Sequence, residues 1–237
     1  MRITQNPGRR TGLLYLLVSI PGAFALAYVP SKVIVHGNPT ATISNIAASE
    51  SLFRLGIGAD LISQALFILV ALALYDLLKR VNQRHAALMV ILIVVSIPIA
   101  FLNELNAIAT LILVHGAGLL SIFDKPQRDA LAMLFVNLHG HGFDVAGIFW
   151  GLWLFPLGLL VYRSGFIPRI LGVLLIANCF TYVINSLTSL VLPAYEDIVA
   201  RWMMPFQFGE LLFMFWLLIM GANPKPSAGP ATVAAAA

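Results

Sequence analysis

Five ionisable side chains interrupt runs that are otherwise apolar: Asp60, Glu104, His141, Asp144 and Glu210. An ionisable group inside hydrocarbon costs from about 2.5 kcal/mol upward unless it is paired or faces a cavity. Carboxylates and an imidazole close together can hold a cation, pass a proton or hydrogen-bond a polar ligand. Residues three, four and seven apart share a helix face, and by that rule each group has polar neighbours. Gln64 follows Asp60 by one turn; Asn103, Asn106 and Thr110 align beside Glu104; Asn137, His141 and Asp144 align; Asn178, Tyr182, Asn185 and Ser189 form a fourth stripe; Gln207 precedes Glu210.

Amide and hydroxyl stripes commonly bond helix to helix, at about 0.6 kcal/mol per contact. Four carboxylates exceed what that bonding needs. They read as the wall of one polar chamber, with Asp60, Glu104, His141, Asp144 and Glu210 as candidate ligand-binding residues and Arg54, Asn137, Asn185 and Gln207 beside them. Arg54 follows Glu50 by four residues, the spacing of an interfacial ion pair. It is also the arginine nearest the chamber, where it would suit a carboxylate or phosphate on a guest.

The string His139-Gly140-His141 resembles a metal or haem motif, but on a regular helix the two imidazoles point about 200° apart. His141 with Asp144, three residues on, is the weaker metal alternative. No zinc-hydrolase H-E-x-x-H occurs. His36, His85 and His115 fall at loops or interfaces, so no second haem ligand faces inward. No cofactor is expected.

These residues must be positioned by membrane helices. Of 237 residues 60% are hydrophobic and only 10% charged, and the mean hydropathy is +0.92. That composition leaves no room for a separate soluble domain and predicts an all-α, polytopic transmembrane bundle. A span needs about 20 mostly apolar residues, and six segments qualify: Thr11 to Val35, Ser51 to Leu78, Ala86 to Val114, Leu131 to Tyr162, Ile170 to Leu192 and Trp202 to Gly221. Residues 1–221 form the membrane domain, and the low-complexity end from 222 to 237 reads as a disordered tail.

Arg2, Arg9, Arg10, Lys79, Arg80, Arg84, Arg163, Arg169 and Lys225 fall on one side of these spans, against Lys32, Arg54, Lys125, Arg128 and Arg201 on the other. By the positive-inside rule both termini are expected in the cytoplasm and the carboxylates in the outer half of the bilayer. The basic balance suits anionic lipid headgroups rather than nucleic acid. Arg9 and Arg10 before an apolar run ending Ala25-Leu26-Ala27 also resemble a cleavable signal, yet the apolar character resumes at Val33, which favours a retained first span. Having almost no polar residues beyond Tyr15 and Ser19, that span is expected at the periphery. Cys179, alone in an apolar run, is expected to be an inert buried thiol.

Gly147 and Gly151 form a G-x-x-x-G packing seam. The aromatic residues around it, Phe149, Trp150, Trp153 and Phe155, read as lipid-facing bulk, and Pro98 and Pro156 as kink sites. The strings "SESLFRLGIGADLISQALFILVALALYDLLKRVNQRHAAL" and "GIFWGLWLFPLGLLVYRSGFIPRILGVLL" resemble the bacterial membrane family called domain of unknown function 4386. The resemblance implies a six- or seven-helix inner-membrane protein and brings no catalytic residues with it.

The expected role is therefore to bind a small polar or lipid-like ligand in the outer-half chamber, as a sensor, carrier or membrane-integrity factor. The alternatives are an intramembrane acid–base or metal-dependent enzyme acting on a lipid, and an anchor for a partner protein.

Overall fold

A computed structural model describes residues 6–116 and 118–223. Among them there are helices and turns and no strand, and six helical segments are long and apolar enough to cross a membrane. The expected tail lies outside the described residues from 224 onward.

The first span is α1 (Pro7–Ala23), a π-helical turn (Phe24–Tyr28) and α2 (Val29–Val33). Asn6 caps α1 by accepting the Arg9 N–H at 3.1 Å. The wide turn has a local cause: the Pro30 ring presses on the carbonyl four residues back and has no N–H of its own, and an i→i+5 turn relieves both. A short helix, α3 (Pro39–Ala48), follows where the sequence pattern gives only a loop. Its signal was local, since Asn38 caps it by accepting the Ala41 N–H at 3.0 Å and Pro39 occupies the first turn.

The second and third spans are α4 (Glu50–Leu78) and α5 (Gln83–His115). The fourth begins earlier than the hydropathy suggests, at Lys125, because Asp124 and Gln127 form a reciprocal capping box. It comprises α6 (Lys125–Leu152) and α7 (Leu154–Ser164), broken at Trp153. The break lies where the Pro156 ring displaces the carbonyl of Leu152, so Pro156 does interrupt its helix, whereas α5 runs unbroken through Pro98. The fifth span is α8 (Arg169–Val191).

The last segment is not one continuous helix. A short α9 (Glu196–Met203) and a 3₁₀ turn at Met204–Phe206 precede α10 (Gly209–Met220), whose 12 residues rise only about 18 Å. Pro205 and Gly209 account for the division.

The first span is, with the last, the least buried of the six, in keeping with a place at the periphery, yet α1 is held by specific contacts. It packs against both α4 and α10, Ser63 donates to the Val18 carbonyl at 3.0 Å, and Tyr15 and Val18 are buried. The small face of Gly8 and Gly12, invisible to a search for polar residues, admits the α10 backbone. The two ends of the described chain meet on one side of the bundle, where the Ala222 N–H donates to Asn6 at 3.0 Å.

Two apolar clusters fill the interior. One, toward the end where the chain termini meet, contains Leu74, Leu77, Met89, Trp153, Leu157 and Phe213. Trp153 is 1% exposed, so it is a core residue rather than lipid-facing bulk. The other, toward the opposite end, contains Val29, Val33, Ile43, Ile46 and Leu111. Between them runs a polar layer: Asp60 lies between Ile57 and Val70 on α4, Glu104 between Ile97 and Leu111 on α5, and His139 between Val136 and Trp153 on the fourth span.

Candidate functional site

Asp60 and Glu104, on adjacent helices α4 and α5, are 2% and 3% exposed and adjoin one another. Asp60 Oδ1 accepts from Gln64 Nε2 at 3.3 Å, one turn along the same helix. Its Oδ2 is buried and accepts from no donor, with the Glu104 carboxyl alongside the Asp60 side chain. Glu104 Oε1 is 3.1 Å from His139 Nε2, reaching over from α6.

The backbone of α6 is pinned against α5 at this level. Asn103 Nδ2 donates to the His139 carbonyl at 2.9 Å, and Asn103 Oδ1 accepts from Asn106 at 3.1 Å. The Asn103 carboxamide occupies the place a Cβ on residue 142 would take, so Gly142 is what lets the helices approach this closely. Phe143 closes edge-on against the His139 ring, 4.6 Å between centroids.

Asp60, Glu104 and His139 stand at one part of a cavity of about 240 Å³. Most of its remaining wall is apolar, from Leu26 and Val29 at the π turn to Phe53, Ile57, Ala107 and Val136. Two adjoining carboxylate charges in a low-dielectric layer repel one another strongly. A cation held between the two carboxylates, or a proton shared by them, removes that repulsion.

The four carboxylates do not share one chamber. Glu210 belongs to a second site, where it accepts from the Tyr15 hydroxyl and lines, with Ser63, Gln64 and Tyr182, a cavity of about 150 Å³. Gln64 links the two sites, bonding Asp60 and facing the Glu210 cavity. Gln207 lines a neighbouring cavity of about 370 Å³ with Glu210.

Asp144 belongs to a third site. Its Oδ2 accepts from Ser189 at 2.7 Å and lies 3.4 Å from His141 Nδ1, beside a cleft of about 600 Å³ that Asn137, His36 and Glu196 also line. Ser189 donates to the carboxylate and not to the imidazole, so His141 does not stand as a base on that hydroxyl. His141 is therefore not in the Asp60–Glu104 site, and its imidazole is 54% exposed. Among the described residues no three His, Cys, Asp or Glu side chains converge as metal ligands.

Arg54 stays at the helix mouth, 2.6 Å from Glu50, which also meets His115 at 3.1 Å. Asn185 Oδ1, on α8, is buried without a partner. The G-x-x-x-G seam packs on that same helix: a Cβ on Gly151 would fall 2.9 Å from the Cys179 carbonyl, and one on Gly147 2.6 Å from Ser186 Oγ.

His139 is the residue that polar-stripe reasoning missed. Asn137, His141 and Asp144 do share a face, but that face looks onto the third site. The signal for His139 lay in the apolar stripe of α6: Ala132, Val136, His139, Phe143 and Ala146 follow at three- and four-residue steps, and both flanking alanines are fully buried. A histidine in the middle of such a stripe faces the bundle interior.

Comparison with known proteins adds one curated relative, an uncharacterized protein of Archaeoglobus fulgidus, 41% identical over 78 residues. The match covers 33% of this chain and 45% of the relative, so the chain spans less than half of that protein's length. No solved structure matches. The family model described as "Domain of unknown function (DUF4386)" matches residues 10–221, nearly the whole bundle, and the chain belongs to that family.

Proposed function

We propose that this protein binds a small amphiphile carrying a protonated amine, with the amine on Asp60 and Glu104 and the aliphatic part in the adjoining cavity. The observation that carries the reading is the buried pair itself: Asp60 Oδ2 accepts from no donor, and the Glu104 carboxyl adjoins Asp60 at the edge of an apolar cavity. Buried polar atoms are almost always satisfied, and an unsatisfied one costs about 1–3 kcal/mol, more when charged. An ammonium has three donors and a positive charge, which is what the pair lacks. A carboxylate or phosphate guest would meet two like charges.

The cavity, about 240 Å³, is just below the roughly 300 Å³ at which ligand pockets generally begin. A short alkylamine, or the head and first carbons of a longer one, matches that size. With both termini in the cytoplasm, as the distribution of basic residues supports, the site lies in the outer half of a cell's inner membrane. The apolar cluster around Leu74 and Leu157 then fills the bundle on its cytoplasmic side. Such a plug suits reversible capture or sensing from the outer leaflet rather than an open channel.

The test is thermal unfolding of the purified chain in a neutral detergent with decylamine, decanol or decanoate. Decylamine raises the midpoint in proportion to the logarithm of its concentration, as binding to the native state demands, and the other two do not. Asp60→Asn and Glu104→Gln each remove the effect. Equal stabilisation by all three compounds, or an unchanged response in both variants, refutes the proposal.

A further inference from the structure

The bundle carries another ligand-shaped feature at the end where the chain termini meet, far along α4 from Asp60. A cleft of about 760 Å³ lies between α1 and the end of α4. Its walls are two ladders of opposite chain direction and the same polarity. On α1, Arg10, Leu14 and Leu17 follow at one-turn steps; on α4 and just past its end, Arg80, Leu77 and Ala73 do so in reverse. Each ladder runs from a guanidinium at the membrane edge to aliphatic side chains toward its middle.

The charges at the mouth are not internally consumed. Lys79 pairs with Asp76 at 2.6 Å, and Arg9, next to Arg10, is directed elsewhere, donating to the Ile219 carbonyl at 3.0 Å. Arg10 and Arg80 make no ion pair among the described residues. Two planar guanidinium forks above a leucine-walled slot have the chemistry to hold a phosphodiester with its acyl chains below. Leu17, 54% exposed, supplies the surface such a chain would cover.

We propose that this cleft is a specific seat for an anionic glycerophospholipid, its phosphate on Arg10 and Arg80 and an acyl chain along Leu14 and Leu17. The net positive mouth selects an anionic headgroup over a zwitterionic one, which would bring its own cation against the arginines. Nothing in this assignment depends on the amine site, which uses other residues in another layer.

Native mass spectrometry of the full chain, released from detergent after titration with phosphatidylglycerol or phosphatidylethanolamine, tests it. One phosphatidylglycerol is retained in preference to phosphatidylethanolamine. Near a membrane surface each basic residue contributes about 1 kcal/mol toward an anionic lipid, so the R10Q/R80Q pair weakens retention about thirtyfold and either single change about fivefold. R163Q/R169Q removes the same charge from the same end of the bundle, away from the cleft, and leaves retention unchanged. Equal losses in the two double variants would mean diffuse attraction and overturn the site, as would equal retention of the two lipids. Displacement by millimolar inorganic phosphate would mean a soluble-anion site and overturn the lipid assignment. If R10Q/R80Q does not fold, R80Q alone, in the turn beyond α4, decides by its fivefold effect.

Discussion

Gly142→Ala is the most exacting test of how the amine site is built. The added methyl would occupy the position of the Asn103 carboxamide, which bonds the His139 carbonyl at 2.9 Å and accepts from Asn106 at 3.1 Å. Asn103 is 4% exposed and has little space for another rotamer, so the amide must turn away and both bonds are lost. Polar contacts between membrane helices average about 0.6 kcal/mol and reach about 1.7, which sets the cost of Gly142→Ala at about 1–3 kcal/mol. Asn103→Ala removes the same two bonds without a clash and costs about 1–2 kcal/mol on the same scale.

The two changes act on one interaction and are therefore not additive. The double variant should lose no more than Asn103→Ala alone, a coupling of about −1 to −3 kcal/mol in a double-mutant cycle. Reversible unfolding of all four proteins in mixed micelles measures it, and decylamine binding should weaken in each variant as the His139 backbone shifts away from α5. Additive losses, or a neutral Gly142→Ala, would show that the carboxamide does not hold the two helices at this level.

Other outcomes follow from the same geometry. His139→Ala should alter decylamine affinity while His141→Ala leaves it unchanged, because only the former meets Glu104; equal effects from both would restore the single-chamber reading. Tyr15→Phe removes the hydroxyl that Glu210 accepts from and should cost about 1–3 kcal/mol in thermal or chemical unfolding, the penalty for a buried acceptor left without its donor. Gly151→Ala forces a methyl to 2.9 Å from the Cys179 carbonyl and should destabilise by about 1–3 kcal/mol. Gly140→Ala, with nothing within 4 Å of its new Cβ, should be neutral or stabilise by up to about 1 kcal/mol through helix propensity. Arg54→Gln should change stability by less than about 1 kcal/mol, since its pair with Glu50 is solvent-facing.

The sequence by itself determined the membrane class, the presence of six apolar segments, the Arg54–Glu50 pairing and the G-x-x-x-G seam. Each of these depends on composition or on residues within one or two helical turns, and the pattern along the chain contains that information directly. It also marked Asp60, Glu104, Asp144 and Glu210, because an ionisable group in an apolar run stands out whatever lies opposite it.

Only the tertiary structure decided which polar residues meet. A polar stripe shows that residues share a face, but not what that face looks onto: Asn137, His141 and Asp144 turned toward Ser189, and the interior-facing histidine was His139, in a stripe otherwise apolar. The docking of α1 against its neighbours was hidden for a related reason. In a membrane bundle close approach depends on small residues as well as polar ones, and the fit of Gly12 against Leu218, or of Gly142 against Asn103, belongs to two helices at once. Partners separated by 36 or 195 positions in the chain are fixed by how the helices pack and rotate, and no periodicity within either helix encodes that.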